Sequence, residues 1–470
     1  MRETGEKNGM DESLIPKERE ESESSSSSLT WDVFFQEVKR VGWIAAPMVA
    51  VNLSLLLLQV ISMMMSGHLG ELSLSSAAIA VSLSGVTGFS VLLGMASALE
   101  TLCGQAYGAR QYHKLGTQTY TAMFSLILVC LPLSLIWINM GKILVLIGQD
   151  SEISREAGRF TTWLVPGLFA YAILQPLIRF FQMQSLIFPM FLISIITVCL
   201  HIPLCWVLVF MSRLENHGAA FALSISLWLN VIFLGLYMKF SSACAKTRAP
   251  ISMELFRGVG EFFHFAIPSA AMICLEWWSY ELLVLLSGLL PNPQLETSVL
   301  SVCTRISNEL GAGHPESARI VVYALMFLAV IETTIVSSTI FASRHVFGYT
   351  FSNEKEVVDY VTVMSTFICI SIILDSLQGV LSGVARGCGW QRTGAYINLA
   401  AFYLCGIPCA AMLGFWANLG GKGLWMGIQI GAFTQTILLF IVTGCTNWEK
   451  QANKARERAC EGNRNGLAYI

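Results

Sequence analysis

Eleven stretches of this sequence are long and apolar enough to cross a lipid bilayer, which takes about 20 mainly apolar residues in a helix. They are residues 43–65, 76–99, 119–140, 160–184, 187–210, 218–240, 262–290, 320–343, 358–385, 394–416 and 421–444. Charged residues make up 13% of the chain, whereas soluble domains carry about 25%. The pattern therefore predicts an all-α polytopic membrane protein and excludes a water-soluble globular fold.

Three polar regions lie outside the candidate spans. Residues 1–30 are acidic and end in a serine run, and so little apolar surface predicts a disordered tail. Residues 241–261 place scattered apolar side chains in a polar segment, which predicts an amphipathic connector along the membrane surface. Residues 445–470 form a second polar tail, with basic side chains such as Lys450 and Lys454.

The two halves of the chain show a weak internal repeat. Pro47 corresponds to Pro268, and the Ser-Gly pairs that begin at residues 66 and 287 have the same spacing. Further along, Gln175 corresponds to Gln378 at a shorter spacing. The spacing falls by about 18 residues, which indicates that the second half has lost most of one span.

The repeat predicts two six-helix lobes, residues 31–240 and 262–444, related by a pseudo-two-fold axis. Residues 298–303 are then the stub of an eighth span, and so short a segment cannot cross a bilayer. With twelve helices, eight Lys and Arg residues near the spans after residue 298 lie on the connector side and three on the other. The positive-inside rule places the connector and both termini in the cytoplasm.

Four segments carry a recognisable pattern. They are ETLCGQAYGA at residues 100–109, CLEWW at 274–278, TRISNELGAG at 304–313 and QGVLSGVARG at 378–387. Together they resemble the plant branch of the multidrug and toxic compound extrusion (MATE) family, over roughly residues 31–450. The resemblance implies two six-helix lobes around a central cavity and export of organic compounds coupled to inward H⁺ or Na⁺. Plant members resemble H⁺-coupled exporters, and this sequence departs from the family at the eighth helix.

Glu276 is the first candidate for proton coupling. It lies mid-span in the seventh helix beside Trp277, and ionisable groups inside the hydrocarbon region are functional candidates because burying a charge is costly. An apolar setting favours the protonated form of a carboxyl, which suits a proton carrier. The alternative is a structural carboxylate bonded to a Ser or Tyr of a neighbouring helix.

Asp375 is the second candidate, in the tenth helix. Gln378 follows three residues later on the same face, so the two form a polar stripe suited to proton or substrate binding. Other polar or aromatic residues within spans are expected to line a cavity or to form interhelical hydrogen bonds. The residues expected to line the substrate cavity are Gln59, Gln175, Trp277, Tyr280 and Gln378.

The loop motifs of the family imply a gate. Glu100 opens the first motif and is expected to pair with a cytoplasmic arginine. The other gate residues that the motifs supply are Gln105, Arg305, Asn308, Glu309 and Arg386.

The remaining ionisable groups within spans have simpler interpretations. Glu281 lies about 140° around the helix from Glu276, which favours a structural role. Glu332 has no motif support and is expected to be a packing partner. His201 and His264 are interpreted as hydrogen-bonded histidines in preference to metal ligands.

We expect transport by this chain to be driven by an ion gradient and not by ATP bound to this chain. The sequence contains no Walker loop, GxSxG elbow or HExxH motif, so we predict no enzyme, cofactor or metal site. A net charge of −2 is not the basic charge that is typical of nucleic-acid-binding proteins, so we predict no nucleic-acid partner. We expect a monomeric H⁺-coupled exporter of small organic molecules in the plasma or vacuolar membrane.

Alternative interpretations are a channel or lipid scramblase, and a truncated product that does not transport. A membrane-embedded enzyme is the weakest, since no catalytic constellation occurs. Because the eighth span is short, we expect low stability and weak or absent transport.

Overall fold

The computed structural model describes residues 31–250, 252–287, 315–347, 355–417 and 419–467. These residues form helices and no β-strand. Eleven helical stretches among them are long and apolar enough to span a bilayer, which confirms the all-α polytopic class predicted above.

The first lobe is built from nine helices. They are α1 (Trp31–Gly67), α2 (Glu71–Ser84), α3 (Ser90–Ala96), α4 (Ala98–Gly108), α5 (Tyr112–Ile138), α6 (Met140–Ile147), α7 (Ser151–Met183), α8 (Ile187–Trp206) and α9 (Asn216–Phe240). Helices α2 to α4 make one crossing, Leu72–Gly108, which is widened by a π-helical segment at Gly85–Phe89.

The connector holds a 3₁₀ turn, Ser242–Cys244, and the four-residue helix α10 (Glu254–Arg257). The described helices of the second lobe are α11 (Val259–Ser287), α12 (Pro315–Phe347), α13 (Lys355–Cys388), α14 (Gln391–Asn398), α15 (Ile407–Ala411) and α16 (Gly420–Gly444). Helices α14 and α15 belong to one crossing, Gln391–Trp416. The predicted stub at residues 298–303 lies outside the described residues.

Trp137 anchors the core of the first lobe. Its side chain is fully buried, and its Nε1 donates to Thr87 Oγ1 at 3.0 Å. The ring packs edge-on against Phe89 at 5.4 Å between centroids. A Cβ at Gly88 would collide with the indole, so glycine is required for this close approach. The indole therefore fixes α5 against the π-helical segment.

Helices α3 and α11 form the main contact between the lobes. A Cβ at Gly94 would lie 2.7 Å from Ala270 Cα, so the two backbones are nearly in contact. Further along α11, Trp278 Nε1 donates to Val86 O at 2.9 Å, where the second crossing enters its π-helical segment. This contact places residues 270–278 of α11 at the boundary between the lobes.

The connector packs across one end of the molecule. Thr247 Oγ1 donates to Gln184 Oε1 at 2.7 Å, just beyond the end of α7. Thr121 Oγ1 of α5 donates to Leu255 O at 2.9 Å. We call this end, where α4 and α7 finish and α5 starts, the connector end.

Helices α11 and α12 both begin at the connector end. Gly258 packs against Thr121 immediately before α11. Ala318, in the first turn of α12, shares a buried cluster with Cys388, the last residue of α13. The helices on either side of residues 288–314 therefore run in the same direction, as a twelve-helix topology requires.

The polar C-terminal region contains a helix, α17 (Trp448–Leu467), that the sequence pattern did not predict. Ala452 and Ala455 are buried in the same cluster as Ala318 and Cys388. Two small residues three positions apart allow this otherwise polar helix to lie close against α12 at the connector end. Both described termini of the chain are therefore at that end, since α1 also starts there and runs away from it.

Candidate functional site

Glu276 lies where α11 passes α13 and α16. Gln378 of α13 and Gln435 of α16 face its carboxyl group, and Arg386 is near enough for the opposite charges to attract. Glu276 itself is half-buried. The carboxyl therefore occupies a polar pocket in the interior of the second lobe.

A chain of buried amides supports this pocket. Gln435 Nε2 donates to Asn398 Oδ1 at 2.7 Å, and Asn398 Nδ2 donates to Met272 O at 2.7 Å. Met272 precedes Glu276 by about one helical turn on α11. The amide chain joins α11, α14 and α16, so it fixes the orientation of Gln435 toward the carboxyl.

Asp375 and Gln378 lie on one buried face of α13. Ser371, one turn before Asp375, accepts a hydrogen bond from Trp425 Nε1 at 3.0 Å. Because Gln378 also faces Glu276, it links the predicted polar stripe on α13 to the carboxyl on α11.

Glu100 is enclosed between two arginines from different lobes. Its Oε1 lies 3.0 Å from Arg179 Nε of α7, and its Oε2 lies 3.0 Å from Arg386 Nε of α13. All three side chains are buried. We call these three residues the ion network. It joins α4 and α7 of the first lobe to α13 of the second at the connector end.

Hydrogen bonds between the lobes surround the ion network. Thr101 Oγ1 donates to Arg386 O and accepts from Gln391 Nε2 at 2.7 Å. Gln105 Nε2 donates to Gly387 O at 3.5 Å. The first loop motif thus contacts the last residues of α13 and the start of α14.

The other predicted residues differ in burial. Gln175 is buried in α7, while Gln59 and Trp277 are half-buried. Glu332 is exposed. The side chains of Tyr280 and Glu281, and all of Arg305, Asn308 and Glu309, lie outside the described residues.

Both histidines have hydrogen-bonding partners. His201 is fully buried, with Nε2 at 3.1 Å from Ser62 Oγ and Nδ1 at 2.8 Å from Ser226 Oγ. His264 is exposed, and its Nδ1 lies 3.2 Å from Arg392 Nη2. His201 therefore ties together three helices of the first lobe.

Sequence reasoning missed Arg179, Asn398 and Gln435. Each is a polar side chain within a candidate span, and that position was the available signal. Arg179 lies close to the end of α7, where the sequence pattern could not separate a buried cation from one that reaches the membrane surface.

Helical crossings in two lobes, with ionisable side chains in the interior, define a polytopic membrane protein. The family model MatE matches residues 47–207 and 268–412. The chain therefore belongs to the MatE family, whose members are transporters and not enzymes.

Plant proteins are similar over nearly the whole chain. Protein DETOXIFICATION 12 from Arabidopsis thaliana is 60% identical, with 98% of each chain covered. Protein DETOXIFICATION 10 from the same plant is also 60% identical, covering 90% of this chain and 91% of that one. The crystal structure of the eukaryotic MATE transporter AtDTX14 matches with a TM-score of 0.85 at 57% identity, covering 91% of this chain and 100% of that chain.

The two family matches differ in length, and the second, 268–412, is the shorter. They start at Pro47 and Pro268, the two prolines of the internal repeat. The sequence spacing between the two matches is smaller at their ends, residues 207 and 412, than at their starts. The Gln175–Gln378 pair likewise has a smaller spacing than the proline pair. The alignment to DETOXIFICATION 12 runs over 478 positions, more than the 470 residues present here, so that relative contains residues without a counterpart in this chain.

Replacing Arg386 with Met tests the ion network. The substitution keeps most of the side-chain volume but leaves Glu100 with one arginine. Breaking a buried ion pair from one side costs about 3–5 kcal/mol, so we expect a marked fall in the melting temperature of the purified protein.

The matched control is Arg159→Met. Arg159 pairs with Glu156 at 2.8 Å, but 47% of the arginine side chain is exposed. Exposed pairs contribute about 0–1 kcal/mol, so this variant should melt close to the parent protein. Equal melting temperatures for the two variants would contradict a stabilising role for the ion network.

Proposed function

We propose that this chain is a secondary active exporter that exchanges small organic molecules for H⁺. The observation that supports the proposal is the half-buried Glu276, held inside the second lobe with two amides facing its carboxyl group. The DETOXIFICATION names of its relatives agree with xenobiotics or secondary metabolites as substrates.

The pocket suits both protonation states of Glu276. Amides donate and accept hydrogen bonds, so Gln378 and Gln435 can pair with a carboxylate or a carboxylic acid. A neutral acid in the bilayer interior avoids the cost of a buried charge, while Arg386 attracts the ionised form. A group balanced between these effects can take up H⁺ on one side of the membrane and release it on the other.

The carboxyl of Glu276 also indicates which class of substrate the pocket would bind. An ionised Glu276 attracts a cation, and the face of the half-buried neighbour Trp277 favours cationic and aromatic groups. We therefore infer a mostly apolar substrate, in many cases cationic, that competes with H⁺ for this pocket. Asp375 and Gln378 extend the polar surface along α13.

The distribution of exposed charges supports a cytoplasmic connector end. Basic residues exposed at this end include Arg110, Lys239, Lys246, Arg248, Arg257, Arg319, Arg392, Lys450, Lys454 and Arg456. Those exposed at the opposite end include Lys142, Arg155, Arg159 and Arg213. By the positive-inside rule we place both termini in the cytoplasm, in the plasma or vacuolar membrane.

Glu276→Gln tests the proton-coupling role. The amide keeps the shape and hydrogen bonds of the carboxyl but cannot take up a proton near neutral pH. We expect complete loss of ΔpH-driven export in proteoliposomes, measured with a panel of organic cations and flavonoid-like compounds. A protonophore should abolish transport by the parent protein, which separates an antiporter from a channel or scramblase. Normal export by the variant at equal protein content would refute the role.

Asp375→Asn should weaken export less than Glu276→Gln does. Gln378 remains beside the substituted position and keeps this face of α13 polar. The comparison uses initial export rates at matched protein content. Complete loss in both variants would show instead that the two carboxyls act as an obligatory pair.

A chain that transports poorly is the second candidate function. The shorter second family match supports it, since that repeat lacks most of the length of one span relative to the first. A gap in the second lobe would leave backbone groups facing lipid, at a cost of several kcal/mol per group. The matching directions of α11 and α12 favour a retained twelve-helix topology with one incomplete span.

Inserting an apolar helix of about 18 residues after Cys303 tests this candidate, because that length completes a span of about 20. We expect higher thermal stability and increased export. A Gly/Ser insert of equal length is the control, since it supplies length without a helix. Full export by the unmodified chain, with no gain from the helix, would exclude the second candidate.

A further inference from the structure

The connector carries an unusual concentration of exposed cations. Four basic residues lie between positions 239 and 257, against one acidic residue, Glu254. Lys239, Lys246, Arg248 and Arg257 are all exposed. By contrast, the loop that joins α8 to α9 at the opposite end has Arg213 balanced by Glu215.

Large apolar side chains are exposed among these cations. Phe240 is 75% exposed, Met253 79% and Phe256 50%. Met253 and Phe256 lie outside the candidate spans, so they are not placed in the hydrocarbon layer by a crossing helix. Exposed apolar side chains beside basic ones are typical of protein segments that insert shallowly into the interface of a bilayer.

The surface is held in place by the first lobe. A Cβ at Gly116 would collide with Thr247 O, so α5 and the connector backbone are in close contact. Phe256 packs edge-on against Phe124 of α5, with ring centroids 5.0 Å apart. Cys244 is buried beneath the same segment. The cations are thus carried on a fixed backbone that packs against residues 116–124 of α5.

We propose that this connector surface binds the headgroups of anionic phospholipids in the adjacent leaflet. Lys239, Lys246 and Arg257 contact the phosphates, and Met253 and Phe256 insert between the headgroups. Arg248 is less available, because its Nη1 donates to Met238 O at 3.4 Å and so caps the end of α9. Basic clusters beside a spanning helix attract anionic lipid through this combination of charge and shallow apolar contact.

Bound lipid would lie close to the contact between the lobes. Gln184, which anchors Thr247 of the connector, follows shortly after Arg179 of the ion network. The helical stretch between them spans about 7.5 Å. Anionic lipid should therefore stabilise the conformation in which Glu100 joins the lobes.

The test compares two triple variants of the full chain. Lys239, Lys246 and Arg257 are replaced by Gln in one, and Lys142, Arg155 and Arg213 in the other. Native mass spectrometry then counts bound phosphatidylserine or phosphatidylcholine, and melting temperature is followed against each lipid. Each basic residue near an anionic surface changes affinity severalfold, so the connector variant should bind phosphatidylserine about 100-fold more weakly.

The control variant should bind phosphatidylserine like the parent protein, since it loses the same charge at the opposite end. Equal loss in both variants would reduce the effect to net charge and overturn the proposal. The proposal would also be overturned if phosphatidylcholine bound as tightly as phosphatidylserine. It would likewise be overturned if inorganic phosphate gave the same rise in melting temperature as phosphatidylserine. A third variant, Met253→Ser with Phe256→Ser, should weaken phosphatidylserine binding while leaving all the cations in place.

Discussion

Polar groups of the protein that lie inside the hydrocarbon layer have no water to form hydrogen bonds with, and that constraint governs how this chain is built. Hydroxyl groups within the helices satisfy themselves locally: Ser125 Oγ donates to Thr121 O at 2.8 Å and Thr161 Oγ1 to Ala157 O at 2.8 Å. Longer polar side chains must find partners on other helices, as His201 does with two serines. Each such bond fixes the relative rotation of two helices, because a slipped register would leave a buried polar group unpaired.

Carboxyls in the interior follow the same rule, but Glu100 and Glu276 satisfy it differently. Glu100 has an arginine at 3.0 Å from each of its oxygens, one from each lobe. Glu276 faces two neutral amides and a more distant guanidinium, and it is only half-buried. The first arrangement suits a fixed contact between lobes. The second suits a group whose charge changes, because neither protonation state loses its hydrogen bonds.

The number of spans could be predicted from the sequence, and Glu276 could be chosen as a candidate, because both depend on local composition. Apolar length defines a crossing, and a carboxyl within one is conspicuous. Partners such as Arg179, Asn398 and Gln435 could not be assigned, since their meaning depends on which helices lie side by side. Helix α17 was missed because its buried residues Ala452 and Ala455 are small, and their burial comes from the neighbouring helix α12 and not from their own hydrophobicity. The gate residues between positions 304 and 313 stay predictions.

Helix α13 physically connects the surroundings of Glu276 to the ion network. Its residues 378 and 386 are separated by about 12 Å along the axis, and they face Glu276 and Glu100 respectively. Arg386 therefore lies in the field of both carboxylates. An ionised Glu276 draws the guanidinium away from Glu100, whereas a proton on Glu276 removes that competition and leaves the pair with Glu100 at full strength. By this sign argument, a neutral Glu276 favours contact between the lobes at the connector end, and an ionised Glu276 weakens it.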